Sequence, residues 1–66
     1  MAIKVSLKAA RVNAGFSQKD AADALKISNK TLANWEKGDT FPSAEKIESL
    51  CSLYKISYDD IIFLPK

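Results

Sequence analysis

The segment from residue 28 to residue 37 carries amide and amine side chains where one face of a helix would present them. On the side opposite its apolar residues lie Asn29, Lys30, Ala33 and Asn34. An asparagine can form two hydrogen bonds with adenine, a lysine can donate to guanine, and an alanine can contact the methyl group of thymine. The major groove of B-form DNA admits one α-helix, so we expect these four residues to contact base edges.

The elements that must position these side chains are predicted by repeated serines. A serine before a run of helix-forming residues is typical of a helix N-cap. The pattern predicts a compact all-α domain of five helices, starting after Ser6, Ser17, Ser28, Ser43 and Ser57. The predicted segments are about 7–12, 18–25, 29–37, 44–54 and 57–64. No segment alternates long enough to indicate a strand, although residues 2–5 could be extended.

A short turn should set the angle between the two central helices, which together form a motif at about residues 18–37. Only Lys26 and Ile27 separate them, and the small Ala22 allows close approach. Leu32 and Trp35 should anchor the second helix from beneath. A polar helix face is more often merely solvated, but the short turn and the small buried alanine favour a groove-reading helix here.

Composition limits the remaining possibilities. With 66 residues the chain forms one domain, residues 1–66, and 47% hydrophobic residues are enough for a core. Residues 1–38 carry seven basic and three acidic side chains, whereas residues 39–66 carry three basic and five acidic ones. The basic first half favours a polyanionic partner.

Several function classes are excluded by the residue inventory. The chain has no histidine and a single cysteine, Cys51, which we expect to be a small buried hydrophobe. This inventory excludes an intrachain disulfide and a zinc site, and it argues against an enzyme or a bound cofactor. The longest apolar run, residues 61–64, is too short to span a membrane, and residues 1–11 do not resemble a signal peptide. A cytoplasmic location is therefore expected.

The central residues also resemble a known family. Residues 18–25 read QKDAADAL and residues 27–38 read ISNKTLANWEKG, which is similar to the helix-turn-helix of the Cro/phage-repressor (xenobiotic-response-element-type) regulators. The resemblance covers about residues 7–62. It implies a lambda-repressor-like domain in a dimeric transcriptional regulator, such as a phage or prophage repressor, bound to a palindromic double-stranded DNA operator.

The resemblance also implies roles for further residues. Asn29, Lys30, Ala33 and Asn34 occupy the family's base-reading positions. Gln18 would bond a phosphate and brace Asn29, while Arg11 and Glu36 would form a structural ion pair. The implied phosphate contacts are Gln18, Ser28, Thr31, Lys37 and Thr40, although Ser28 and Thr31 have hydroxyls that suit bases equally well.

Two positions depart from the family pattern. Lys26 stands where the turn usually has glycine, and a left-handed residue with a side chain is strained by about 1–2 kcal/mol. Asp39 stands where relatives often carry a basic residue, and its carboxylate would repel phosphate.

The end of the chain is more apolar than a monomer requires. The resemblance predicts a dimerisation helix at 57–64, with an interface formed by Tyr58, Ile62, Phe63 and Leu64. The alternative is an end helix docked on its own core. A protein-interaction module of the same fold, such as an antitoxin-like or adaptor domain, is the alternative function. The chain could equally be a whole Cro-like protein or the DNA-binding part of a longer one.

Overall fold

The computed structural model describes residues 4–63, which form four α-helices, a single 3-10 turn and two very short strands. The helices are α1 (Leu7–Asn13), α2 (Gln18–Leu25), α3 (Asn29–Lys37) and α4 (Ala44–Tyr54). The strands are β1 (Val5–Ser6) and β2 (Ile61–Ile62), and the 3-10 turn is Tyr58–Asp60. None of the helices within residues 4–63 has the length and apolar character needed to cross a bilayer.

Serine caps explain where the four helices begin. Ser6, Ser17, Ser28 and Ser43 all have extended backbones, and each side chain accepts a hydrogen bond from the backbone N–H three residues later. Such a cap satisfies one of the four N–H groups that a helix start leaves unpaired. The four predicted helix starts are therefore confirmed.

Left-handed residues explain how three of the helices end. Gly38 has a φ of 84°, which glycine adopts without strain, and it closes α3 after Lys37, where the segment was predicted to end. Lys26 and Lys55 close α2 and α4 with φ values of 59° and 54°, although each has a Cβ. The predicted left-handed conformation of Lys26 is thus present, at a position where glycine would be less strained.

The core lies between the helices and is built from small and branched residues. Ala21, Ala22 and Leu32 are at most 1% exposed, so α2 and α3 approach closely. Leu50 is also fully buried, and Trp35 is 8% exposed, which agrees with a mainly structural tryptophan. The remaining buried hydrophobic residues are Leu7, Ala10, Leu25, Tyr54 and Ile61.

The predicted fifth helix at 57–64 is wrong. Residues 58–60 form one 3-10 turn, and Ser57 makes no side-chain cap. Ile61 and Ile62 then pair in parallel with Val5 and Ser6. Branched isoleucine side chains suit a strand, and the extended amino-terminal segment offers unpaired backbone groups beside them. Long-range pairing therefore outweighs the local helix-start pattern.

One side-chain contact joins α4 to the motif. Lys46 Nζ donates to the backbone oxygen of Leu25 at 2.8 Å. That carbonyl lies in the last turn of α2, where backbone oxygens lack helical partners and a cation is favourable. Lys46 thus links α4 to the end of α2, next to the turn that leads into α3.

Candidate nucleic-acid interface

The turn between α2 and α3 sets the angle at which α3 leaves the domain. Lys26 adopts the left-handed conformation, and Ile27 N–H donates to the oxygen of Ala22 at 3.0 Å. Ser28 then caps α3 directly. Because Ala22 is buried, α3 can cross α2 at short range. The turn therefore presents the outer side of α3 without a long connecting loop.

The two sides of α3 differ as the sequence predicted. Leu32 and Trp35 are buried in the core. Asn29 and Lys30 are exposed, and Lys37 is exposed at the other end of the helix. Ala33 and Asn34, the remaining predicted base-contacting residues, are half-buried on the same helix.

A buried ion pair holds α3 against α1. Arg11 Nε lies 2.7 Å from Glu36 Oε2, and the two side chains are only 9% and 6% exposed. Arg11 Nη1 also donates to the oxygen of Phe16 at 2.9 Å. The guanidinium is thus occupied by protein acceptors, and Glu36 is neutralised beside the polar face of α3.

Gln18 connects this ion pair to the outer side of α3. Its Nε2 donates to Glu36 Oε1 at 3.1 Å, and its Oε1 accepts from Asn29 Nδ2 at 3.0 Å. Gln18 is the first residue of α2, so the hydrogen bonds cross from one motif helix to the other. The predicted bracing of Asn29 by Gln18 is present in the structure.

The hydroxyls at the start of α3 are engaged in its N-cap. Ser28 Oγ accepts from Thr31 N–H at 3.0 Å and lies 2.8 Å from Thr31 Oγ1. One of the two hydroxyls donates to the other, so one hydroxyl hydrogen remains for another acceptor. Both residues lie at the amino end of α3, where the backbone dipole favours an anion.

The backbone donors of the loop after α3 are already used within the chain. The N–H groups of Gly38 and Asp39 donate to the oxygens of Trp35 and Asn34 at 3.2 and 3.0 Å. Thr40 N–H makes a longer bond of 3.5 Å to Asn34. All three N–H groups therefore have acceptors within the chain.

An open groove of about 580 Å³ runs beside these side chains. Gln18, Ala33 and Lys37 line it together with Lys8, an exposed lysine on α1. Lys8 was not among the residues predicted for the site. Only the excess of basic residues in the first half of the chain signalled it, because its placement depends on how α1 packs against α3.

Two ionisable side chains in the core have raised pKa values. The pKa of Tyr54 is raised from 10.0 to about 12, mainly by burial and also by the charge of Glu36, while the charge of Arg11 opposes the increase. Tyr54 Oη is buried and has no hydrogen-bond partner within residues 4–63. Cys51 is half-buried rather than fully buried, and burial raises the pKa of its thiol. Cys51 packs against the core, far from the behaviour of a low-pKa reactive thiol.

Three of the predicted dimer residues, Tyr58, Ile62 and Phe63, lie after α4 and not on an α-helix. Tyr58 and Ile62 are 56% and 45% exposed, and Phe63 is half-buried with its ring 5.9 Å from that of Tyr58. Leu64 lies outside the described residues.

The sequence matches the family model described as helix-turn-helix over residues 7–61, which includes all four helices. The chain belongs to this family, the Cro/phage-repressor type of helix-turn-helix proteins. The resemblance drawn from residues 18–38 is confirmed. This family is not one of enzymes, which agrees with the prediction from the residue inventory.

Curated relatives of similar sequence are transcriptional regulators by name. The chain is 37% identical over 62 residues to the HTH-type transcriptional regulator ImmR of Bacillus subtilis (strain 168), covering 94% of this chain and 49% of ImmR. It is 39% identical over 56 residues to the HTH-type transcriptional regulator DdrOP3 of Deinococcus deserti, covering 85% of this chain and 43% of DdrOP3. It therefore spans about half the length of these two relatives.

A third relative has nearly the same length. The chain is 27% identical over 62 residues to the uncharacterised HTH-type transcriptional regulator YgzD of Bacillus subtilis (strain 168), covering 94% of each protein.

Proposed function

We propose that the chain binds double-stranded DNA sequence-specifically as part of a transcriptional regulator, with α3 in the major groove. The observation that carries this proposal is the two-sided character of α3. Leu32 and Trp35 are buried, while Asn29 and Lys30 are exposed and Gln18 holds the Asn29 amide in place. A rigid helix with amides and amines directed outward matches the donors and acceptors of base edges.

The base contacts are assigned to the outer side of α3. Asn29 and Asn34 supply amides that suit adenine, Lys30 supplies a donor for guanine, and Ala33 supplies an apolar surface for a thymine methyl. Asn34 and Ala33 are half-buried, so their contacts require close approach of the groove.

The phosphate contacts are assigned around this helix. Backbone phosphates set the register of a protein on DNA and carry no sequence information themselves. The residues proposed for this role are Gln18, Ser28, Thr31, Lys37 and Thr40. The groove beside α3 adds Lys8 to this set, since its exposed ammonium lines the same surface as Lys37.

We further propose that the regulator is a homodimer on a palindromic operator, as in a phage or prophage-type repressor. Tyr58 and Ile62 are exposed apolar side chains beside the carboxyl-terminal strand, and Phe63 is half-buried next to them. Together with Leu64 they would form the symmetric contact. A two-fold dimer reads two half-sites about 34 Å apart, one turn of the DNA helix.

Substitution separates the two kinds of DNA contact. Operator sites are selected from a random DNA pool, and their affinity is compared with that of scrambled DNA. Changing Asn29, Lys30 and Asn34 together to alanine should abolish the preference for the selected site while the helical circular dichroism signal is retained. Specific binding that survives this triple change would contradict the site assignment.

The matched control is Lys37→Ala. Loss of a phosphate contact weakens binding to every DNA sequence and lowers the slope of log affinity against log salt by about one. Lys8→Ala should behave in the same way. If the chain selects no DNA site and its binding to DNA does not depend on salt, the result would favour the alternative function, a protein-interaction module.

The dimer is tested by sedimentation equilibrium. At micromolar concentration the chain should sediment as a species of twice its 7.3 kDa mass, and Ile62→Asp should shift it toward the monomer. Only monomer in the unmodified chain, with and without operator DNA, would contradict the dimer.

A further inference from the structure

We propose that Glu36, although buried in an ion pair, determines which base Asn29 prefers by fixing the orientation of the Asn29 side-chain amide. Glu36 acts through Gln18 and is a positioning residue, since it is not itself assigned a DNA contact. The inference rests on the proposed function, because it requires α3 to read base edges.

Glu36 is a buried acceptor of hydrogen bonds. Its carboxylate is paired with Arg11 and is 6% exposed. An ionised carboxylate can only accept hydrogen bonds. Glu36 Oε1 also accepts from Arg11 Nη2 at 3.5 Å, and the group of Gln18 that faces it must likewise be a donor. The Gln18 amide therefore directs its Nε2 toward Glu36, at 3.1 Å.

The side-chain amide of Gln18 is planar and carries its donor and its acceptor at opposite ends. With Nε2 on Glu36, the other end of the amide is the acceptor Oε1, which faces Asn29 at 3.0 Å. Asn29 must then donate, so its Nδ2 lies on the Gln18 side. The orientation of an exposed asparagine is set by a charge two hydrogen bonds away.

The Asn29 amide keeps one donor and one acceptor for DNA. One Nδ2 hydrogen is used by Gln18, and the second Nδ2 hydrogen and Oδ1 remain. Adenine presents an N7 acceptor next to an N6 donor in the major groove, which this pair matches. In a reversed amide, Oδ1 would accept from Gln18 and both Nδ2 hydrogens would be free, which favours a base edge with two acceptors, such as guanine.

Burial makes the restraint effective. The Arg11 and Glu36 side chains are nearly inaccessible, so water competes little for Glu36 Oε1. The low local dielectric also strengthens the connected hydrogen bonds from Glu36 through Gln18 to Asn29. The buried carboxylate of Glu36 therefore determines which way the exposed amide of Asn29 is oriented.

The test is Glu36→Gln, which keeps the size of the side chain but adds a donor. The new carbonyl oxygen can still accept from Arg11, while its amide nitrogen can donate to Gln18 and allow the reversed orientation. The base that faces Asn29 is first located as the operator position whose preference disappears in Asn29→Ala. At that position the preference for adenine over guanine should fall about tenfold in Glu36→Gln, within the discrimination that one bidentate contact supplies. An unchanged preference, or an equal loss at every operator position, would overturn the inference.

A second variant covers the case in which Glu36→Gln does not fold. Gln18→Met leaves the Arg11–Glu36 pair intact and removes the connection to Asn29. It should lower the adenine preference at the same position and leave the position read by Lys30 unchanged. Retained adenine selectivity in Gln18→Met would overturn the inference.

NMR of the DNA-free chain provides a readout that does not depend on binding. One Asn29 Nδ2 hydrogen should exchange slowly with water in the unmodified chain and rapidly in Gln18→Met. Rapid exchange in both would overturn the inference while leaving the proposed function intact. A chain that selects no DNA site would instead overturn the proposed function and, with it, this inference.

Discussion

Arg11 on α1 and Glu36 on α3 lie 2.7 Å apart, Nε to Oε2, with both side chains at least nine-tenths buried. The pair joins the first helix to the helix proposed to read DNA, and it also supplies the acceptor that orients Gln18. Removing one partner would leave an uncompensated buried charge, which is far more costly than losing an exposed ion pair.

We predict that Arg11→Met lowers the free energy of unfolding by about 3–5 kcal/mol. A core of this size supplies only about 3–5 kcal/mol in total, so the variant should be largely unfolded. Urea titration followed by circular dichroism measures the change. The double variant Arg11→Met, Glu36→Leu removes both charges and should recover much of the loss, because the destabilisation comes from the unpaired charge. Similar stability in both variants would contradict this account.

Tyr54→Phe should raise the free energy of unfolding by about 1 kcal/mol, because it removes a buried hydroxyl without a hydrogen-bond partner among residues 4–63. The ring remains and keeps its contact with Phe16, whose centroid lies 6.0 Å away. Thermal denaturation measures the effect, and Tyr58→Phe at an exposed tyrosine is the control. Destabilisation by Tyr54→Phe would indicate that the hydroxyl is hydrogen-bonded.

The same tyrosine predicts a pH dependence. The pKa of Tyr54 is about 12 in the folded chain, against an ordinary value of 10.0 that applies to the unfolded chain. Above pH 10 the unfolded chain therefore holds fewer protons than the folded chain. Stability should therefore fall between about pH 10 and pH 12, by up to about 2 kcal/mol from this group. Subtracting the pH profile of Tyr54→Phe from that of the unmodified chain isolates the contribution. Parallel profiles would contradict the raised pKa.

Lys26→Gly should stabilise the chain by about 0.5–1 kcal/mol. Relief of the left-handed conformation gains about 1–2 kcal/mol, and the greater freedom of glycine in the unfolded state takes back up to about 1 kcal/mol. Lys26→Ala removes the same charge but keeps the Cβ, so it should give no gain. Equal effects of the two variants in urea titrations would show that strain at residue 26 is not the cause.

Lys46→Met should lower the free energy of unfolding by about 1 kcal/mol, because the oxygen of Leu25 loses its charged donor. The methionine keeps most of the aliphatic stem. Lys8→Met, at an exposed position of another helix, is the matched control and should change stability by less than about 0.5 kcal/mol. If the two variants melt at the same temperature, the Lys46 contact contributes nothing.

Much of the fold was predictable because its signals are local. Ser6, Ser17, Ser28 and Ser43 each start a helix as predicted, since an N-cap needs only its own side chain and the next turn of backbone. Ser57 has the same local pattern and starts only a 3-10 turn. What decides there is the pairing of residues 61–62 with residues 5–6, and no local pattern contains that partner.

The candidate site divides in the same way. The helical period separated the polar side of α3 from Leu32 and Trp35, and family resemblance paired Arg11 with Glu36. Gln18 contacts both Glu36 and Asn29 because of the way α2 and α3 cross. The direction of its two hydrogen bonds therefore could not be predicted from local sequence patterns. The position of Lys8 beside the groove likewise depends on helix packing.

Binding of this chain to a particular DNA sequence is tested most directly by fluorescence anisotropy at physiological salt. The chain is titrated against labelled duplexes that carry either the site selected from a random pool or a scrambled version of it. We predict an affinity for the selected site at least about 1,000-fold higher than for the scrambled duplex. Equal affinity for the two duplexes, or no binding to either, would contradict it.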